Sequence, residues 1–149
     1  MLSKQKIHAH FLSVIEESIL RIQTVLDDLK DTGANETKST AGDKHETALA
    51  MIQIEQANMR SQLADAQEKK AMLQRLNPRV ETLKISNGSL VVTDKNILYI
   101  SAALGKQTID GELIIAISSQ SPLGAKLIGL SAGAIVSINS NHFQIKNVS

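Results

Sequence analysis

Apolar residues recurring at alternating steps of four and three restrict the fold of this chain more than any other feature, and that pattern stops at one place. Phe11, Ile15, Ser18, Ile22, Val25 and Leu29 step by 4, 3, 4, 3, 4, with Leu12, Ile19 and Leu26 widening the stripe. The spacing predicts one long amphipathic helix over about residues 4–30. Leu49, Ile52, Gln56, Met59, Leu63, Ala66, Lys70 and Leu73 keep the same alternation and predict a second helix through about residue 76. Asn77-Pro78 ends it, because proline disfavours helix at the preceding residue. Neither stripe has anything to bury against except the other, so the simplest arrangement is an antiparallel two-helix coiled coil with a tip at about 31–43. Asp31-Thr32-Gly33-Ala34-Asn35, polar and marked by glycine, reads as the start of that turn. Ser18, Gln56 and Lys70 weaken the seam and suit a role in fixing register.

After Pro78 the chain is poor in charge and rich in Ile, Val, Ser and Gly, a composition that favours strands. Val80–Ile85 and Leu90–Val92 flank Asn87-Gly88, a strong two-residue hairpin signal. Ile97–Ile100 follows the turn Asp94-Lys95-Asn96, and Asp110-Gly111 leads into Leu113–Ile117. Ser121 suits a helix cap, Pro122 the first helical position and Gly129 the end. Ala134–Ile138 and Phe143–Val148 read as a last hairpin through Asn139-Ser140-Asn141. The expected organisation is α+β: a coiled-coil hairpin over 1–77, then an antiparallel β domain with one short helix over 78–149.

Composition narrows function by exclusion. The 149 residues carry 16 Lys+Arg against 15 Asp+Glu, a net charge of +1, which argues against strong sequence-independent duplex binding. Phe11, Tyr99 and Phe143 are the only aromatics, too few for a base-stacking platform. With no cysteine there is no disulfide framework, thiolate metal site or thiol nucleophile, and a reducing cytoplasm is the expected compartment. No run approaches the roughly 20 apolar residues of a membrane span, so no membrane partner is expected. His8 and His10, two apart on a helix, point to different faces and do not read as a metal pair. Ser118, Ser119 and Ser121 have no neighbouring base motif, and the single scattered glycines form no phosphate-cradling loop.

The segment Ile117-Ser118-Ser119-Gln120-Ser121-Pro122-Leu123-Gly124-Ala125-Lys126-Leu127-Ile128-Gly129, following a long two-helix finger, resembles the Gre family of bacterial transcript cleavage factors. It is similar to that family's strand, Ser-Pro cap and short helix ending in Leu-Ile-Gly, with a valine-containing strand after it, and the chain looks like a diverged branch. The resemblance implies an accessory factor to RNA polymerase, not an enzyme, with a C-terminal domain similar to the FK506-binding-protein fold. Such factors bind polymerase through that domain and insert the coiled coil into the secondary channel. Acids at the tip then help hold the polymerase's catalytic Mg²⁺ and its water, so that a backtracked transcript is hydrolysed, with indirect contact to nascent RNA. It further implies no cofactor of its own and docking through Ser121, Pro122, Leu123, Lys126 and Gly129; a monomer is expected because the two-helix finger can be satisfied within one chain.

At the tip the chain departs from the family's Asp-Leu-Ser-Glu-Asn-Ala-Glu. An ungapped alignment through Arg60 and Leu63 puts Thr40 at the Asp, Asp43 at the first Glu and Glu46 at the second. Asp43 is therefore the residue directed at the shared Mg²⁺, with Glu46 and Glu36 as further tip acids; Asp31 and Glu36 would substitute if the alignment slips. Residues 27–46 hold six acids against three bases, which suits a device aimed at metal in a basic channel. The same residues also fit a plain capping box, Asp43 capping and Glu46 reaching back, and first-turn acids are favoured by the helix dipole in any protein. Both readings stay open, as do two functions: stimulating cleavage, or occupying the channel without supporting it, to which the missing acid at Thr40 points. An interaction module for another partner is the remaining alternative. Prolyl isomerisation needs an aromatic-lined pocket, for which Tyr99 and Phe143 are insufficient.

Overall fold

The computed structural model describes residues 2–37 and 43–149, and at 36, 37 and 43–45 it describes the backbone alone. The chain divides into two compact units, Ile15–Glu68 and Met1–Val14 with Lys69–Ser149.

Two long helices lead the chain, α1 (Lys4–Thr37, 34 residues) and α2 (Asp43–Gln74, 32 residues). Ser3 starts α1: its hydroxyl accepts from Lys6 N at 3.1 Å, satisfying one orphan donor of the helix start, and its carbonyl takes the first intrahelical bond, from Ile7 N at 3.1 Å. At 1.5 Å per residue each helix is about 50 Å long, and the five residues between them reach at most about 18 Å, so helices packed side by side must run antiparallel.

Within the unit Ile15–Glu68 the less exposed residues of α1 are Ile15, Ser18, Ile19, Ile22, Leu26, Leu29 and Gly33. Leu26 takes the seam position expected of Val25, which is 40% exposed. On α2 each expected seam position in this unit, Leu49, Ile52, Gln56, Met59, Leu63 and Ala66, is half-buried or buried. The seam closes at Gly33, where a Cβ would stand 3.6 Å from Ile52 Cγ2.

The expected turn at 31–43 is shorter than its sequence suggests, because residues 31–37 continue α1. Thr32 donates its hydroxyl back to Asp28 O at 2.9 Å, and the helix carries Gly33 at the roughly 1 kcal/mol that a mid-helix glycine costs.

In the other unit, six strands form a sheet in the order β3-β4-β2-β1-β6-β5. They are β1 (Leu90–Thr93), β2 (Ile97–Ile100), β3 (Gly105–Ile109), β4 (Glu112–Ile117), β5 (Ile135–Ile138) and β6 (Asn141–Val148), with α3 (Pro122–Leu127) between β4 and β5. The expected strand 80–85 is absent. Both sides of β1 are occupied, by β2 and β6, and Ile85 instead exchanges backbone bonds with the end of α3: Ile85 N to Leu130 O and Gly129 N to Ile85 O, both 2.8 Å. The Asn87-Gly88 turn forms, with Gly88 at φ +94°, but it feeds a loop into β1 instead of joining two strands.

β3, unexpected from its polar Lys106-Gln107-Thr108, is an edge strand paired antiparallel with β4 through Asp110-Gly111, both at positive φ. β2 and β4 pair parallel, the one departure from an otherwise antiparallel sheet.

Alternation along the strands gives the sheet two faces. Val91, Leu98, Ile100, Ile145 and Val148 form one core with Ile85, Leu127 of α3 and Val136. Tyr99, Ile114 and Leu90 lie on the opposite face, where the first turns of α1 bring Ile7 and Phe11, both at most 1% exposed. Phe11 and Tyr99 stack with centroids 6.3 Å apart.

Candidate functional site

The short helix α3 and the strand before it are built as one device. β4 ends at Ile117, and Ser121 caps the helix: its Oγ accepts from Gly124 N at 3.0 Å and donates to Ser118 O at 2.7 Å. Pro122 occupies the first turn, where its missing N–H costs nothing. A Cβ on Gly124 would collide with the Ser118 carbonyl oxygen, so the turn closes tightly only with glycine there. Gly129 stops the helix at φ +86°.

Of the residues expected to dock a partner here, Ser121 is committed to the cap and Leu123 packs against the core. Pro122 and Lys126 are exposed, and Lys126 Nζ donates to Ser137 O on β5 at 2.7 Å. Gly129 is exposed and fixed by its backbone. Beside α3, Ser86, Asn87, Ser119, Ala125 and Ile128 line an open recess of about 440 Å³. Ile128 is 41% exposed, so the recess has an apolar edge.

The tip acids divide differently. Asp43 begins α2 and Glu46 lies in its first turn, exposed. Glu36 lies in the last turn of α1. Asp31 is exposed on α1, six residues and about 9 Å of helix rise before its end, so it stands back from the connection instead of within it. Thr40 lies outside the described residues. Among the described residues no three His, Asp or Glu side chains converge to hold a metal ion.

The polar centre that sequence reasoning missed is Tyr99. It is fully buried, and its hydroxyl lies 2.7 Å from His8 Nδ1. Burial pushes the Tyr99 phenol above its ordinary range and holds His8 below its own. His10 faces elsewhere, toward Gln107 Oε1 at 3.1 Å, as the two-residue spacing requires. Lys4 is also buried, donating to Val80 O; burial lowers its pKa and Glu81 partly offsets this. A tyrosine locked in the core cannot line a prolyl pocket, and the ring of Phe143 carries Lys95 Nζ 5.1 Å from its centroid. His8 and Tyr99, 91 residues apart, left no local signal of their pairing.

Among the described residues no helix is long and apolar enough to cross a membrane. No protein-family model matches the chain, and no curated protein matches it. Among solved structures it is similar to that of the transcription factor Gfh1, at 15% identity and a TM-score of 0.37, covering 92% of each chain.

Proposed function

We propose that this chain is a transcription factor of the Gre type, which binds RNA polymerase through its C-terminal sheet unit and enters the secondary channel with its helical hairpin. The observation that carries the reading is the Ile117–Gly129 segment. Its strand, Ser121 cap, Pro122, short helix and terminal Gly129 adopt the local structure that the resemblance implies, downstream of a paired-helix hairpin in the same chain order. Pro122, Lys126 and the recess at Ile128 are the accessible parts of that surface and are the proposed polymerase contacts, with Ser121, Leu123 and Gly129 shaping it.

Asp43, Glu46 and Glu36 are the proposed tip acids. Carboxylate oxygens are the hard donors that Mg²⁺ takes, and the chain brings them at helix ends instead of in a metal site of its own. An ion in a phosphoryl-transfer site supplies an activated water and charge stabilisation at the departing oxygen. The part left to this chain is to place an acid beside the polymerase's ion and so to promote cleavage of a backtracked transcript. Two observations favour a second reading, occupation of the channel without cleavage: Thr40 stands where the family has an acid, and Asp31 lies back along α1.

A defined backtracked elongation complex, incubated with the protein and Mg²⁺, tests both. RNA shortening that is lost in Asp43→Ala supports cleavage. Competition for the channel without shortening supports the second reading. No association with polymerase at micromolar protein removes both.

A further inference from the structure

We propose that the chain's two units are oppositely charged in order to meet opposite charges on a single protein partner, the sheet unit facing an acidic surface and the hairpin a basic one. This rests on the reading above, in which that partner is RNA polymerase. The net charge of +1 conceals a division. The unit Ile15–Glu68 carries eleven Asp+Glu against five Lys+Arg, net −6. The unit formed by 1–14 and 69–149 carries four against eleven, net +7.

Lys4 is buried and Lys6 pairs with Asp110, but other cations of the sheet unit meet only uncharged groups. Lys95 lies over the ring of Phe143, Lys126 donates to a backbone carbonyl and Lys146 to the Gln144 amide oxygen, all of them partners without a charge of their own. Lys84 and Lys106 are exposed. Excess charge of one sign sums to a field of several kT that steers association.

The sign pattern selects the class of partner. A nucleic acid is negative along its whole length, so it would attract the sheet unit and repel the hairpin, while α1 and α2 each run covalently from one unit into the other. Tyr99 is buried and Phe143 half-buried beneath Lys95, so the sheet unit also lacks a surface on which bases could stack. A protein surface with both signs satisfies both units, and the polarity then fixes which unit enters which site.

The test is equilibrium binding of the full chain to core RNA polymerase at about 50 mM and about 500 mM salt. Wild type is compared with Lys84→Glu, Lys95→Glu, Lys106→Glu and Lys146→Glu combined, which takes the unit from +7 to −1, and with the corresponding Gln variant, at +3. At low salt the Glu variant is expected to bind about tenfold or more weaker, the Gln variant to fall between, and both differences to shrink at high salt. Thermal melts check folding, and the Gln variant carries the test if the Glu variant unfolds. Wild-type binding that is salt-insensitive and unchanged in both variants overturns this inference and leaves the polymerase reading standing. Absence of wild-type binding overturns both. Bare duplex DNA bound as tightly as polymerase, and released by the Glu variant, replaces the protein partner with nucleic acid.

Discussion

At His8 the chain places a titratable ring where charge is disfavoured. Its Nδ1 is engaged with the Tyr99 hydroxyl, and burial lowers its affinity for a proton. The sign of the consequence follows from linkage. Because the folded pKa lies below the unfolded one, the unfolded chain binds the extra proton first. Stability from this group is therefore complete above the ordinary value of 6.5 and is lost as pH falls from there through the lowered folded value. Urea midpoints measured at about pH 8 and about pH 5 should drop on acidification in wild type, and drop less in His8→Gln, which cannot titrate. An equal drop in both would move the acid sensitivity to another group.

At the level of elements, two glycines in helices make opposite predictions. Gly33 lies in α1, and its missing Cβ would meet Ile52 Cγ2 at an ordinary contact distance of 3.6 Å. Gly33→Ala should stabilise the hairpin by roughly 0.5–1 kcal/mol, from helix propensity and a less flexible unfolded chain. Gly124→Ala should destabilise, because the new methyl runs into backbone at Ser118 in the turn that Ser121 caps. Denaturant melts of the two variants check both signs.

The long helices were legible because their pattern is local and repeated, so every expected α2 seam position from Leu49 to Leu73 came out half-buried or buried. So was the α3 segment, whose cap, proline and glycine lie within nine residues. β3 was not, since an edge strand buries little and Lys106-Gln107-Thr108 carries no apolar alternation; the Asp110-Gly111 pair was its one signal. The parallel pairing of β2 with β4 and the diversion of Ile85 to α3 depend on which strand already occupies each side of β1 and β2, which no short window records. The end of α1 was misread because Gly33 signals a turn in isolation, whereas here it continues α1 as a half-buried residue of the seam, which depends on the second helix.

Across the whole chain, the acids Asp43, Glu46 and Glu36 were legible as a charge run near the helix connection, while the division into units of −6 and +7 was not, because the sheet unit is assembled from both sides of the hairpin sequence. That assembly makes the unit depend on distant segments. β6 lies between β1 and β5 and supplies Ile145 and Val148 to the core, so a chain ending before Asn141 loses the strand that pairs with β5 and one side of β1. Such a chain should lose the cooperative unfolding transition of the sheet unit; its survival in a melt followed by Tyr99 environment would show that β6 is dispensable.

The docking of α1's first turns against Tyr99 has a temporal side as well. Translation produces Ile7 and Phe11 some ninety residues before the surface that will cover them, and β1 gains its second neighbour later still. A nascent chain must therefore carry these apolar side chains without their sheet partners through most of its own synthesis.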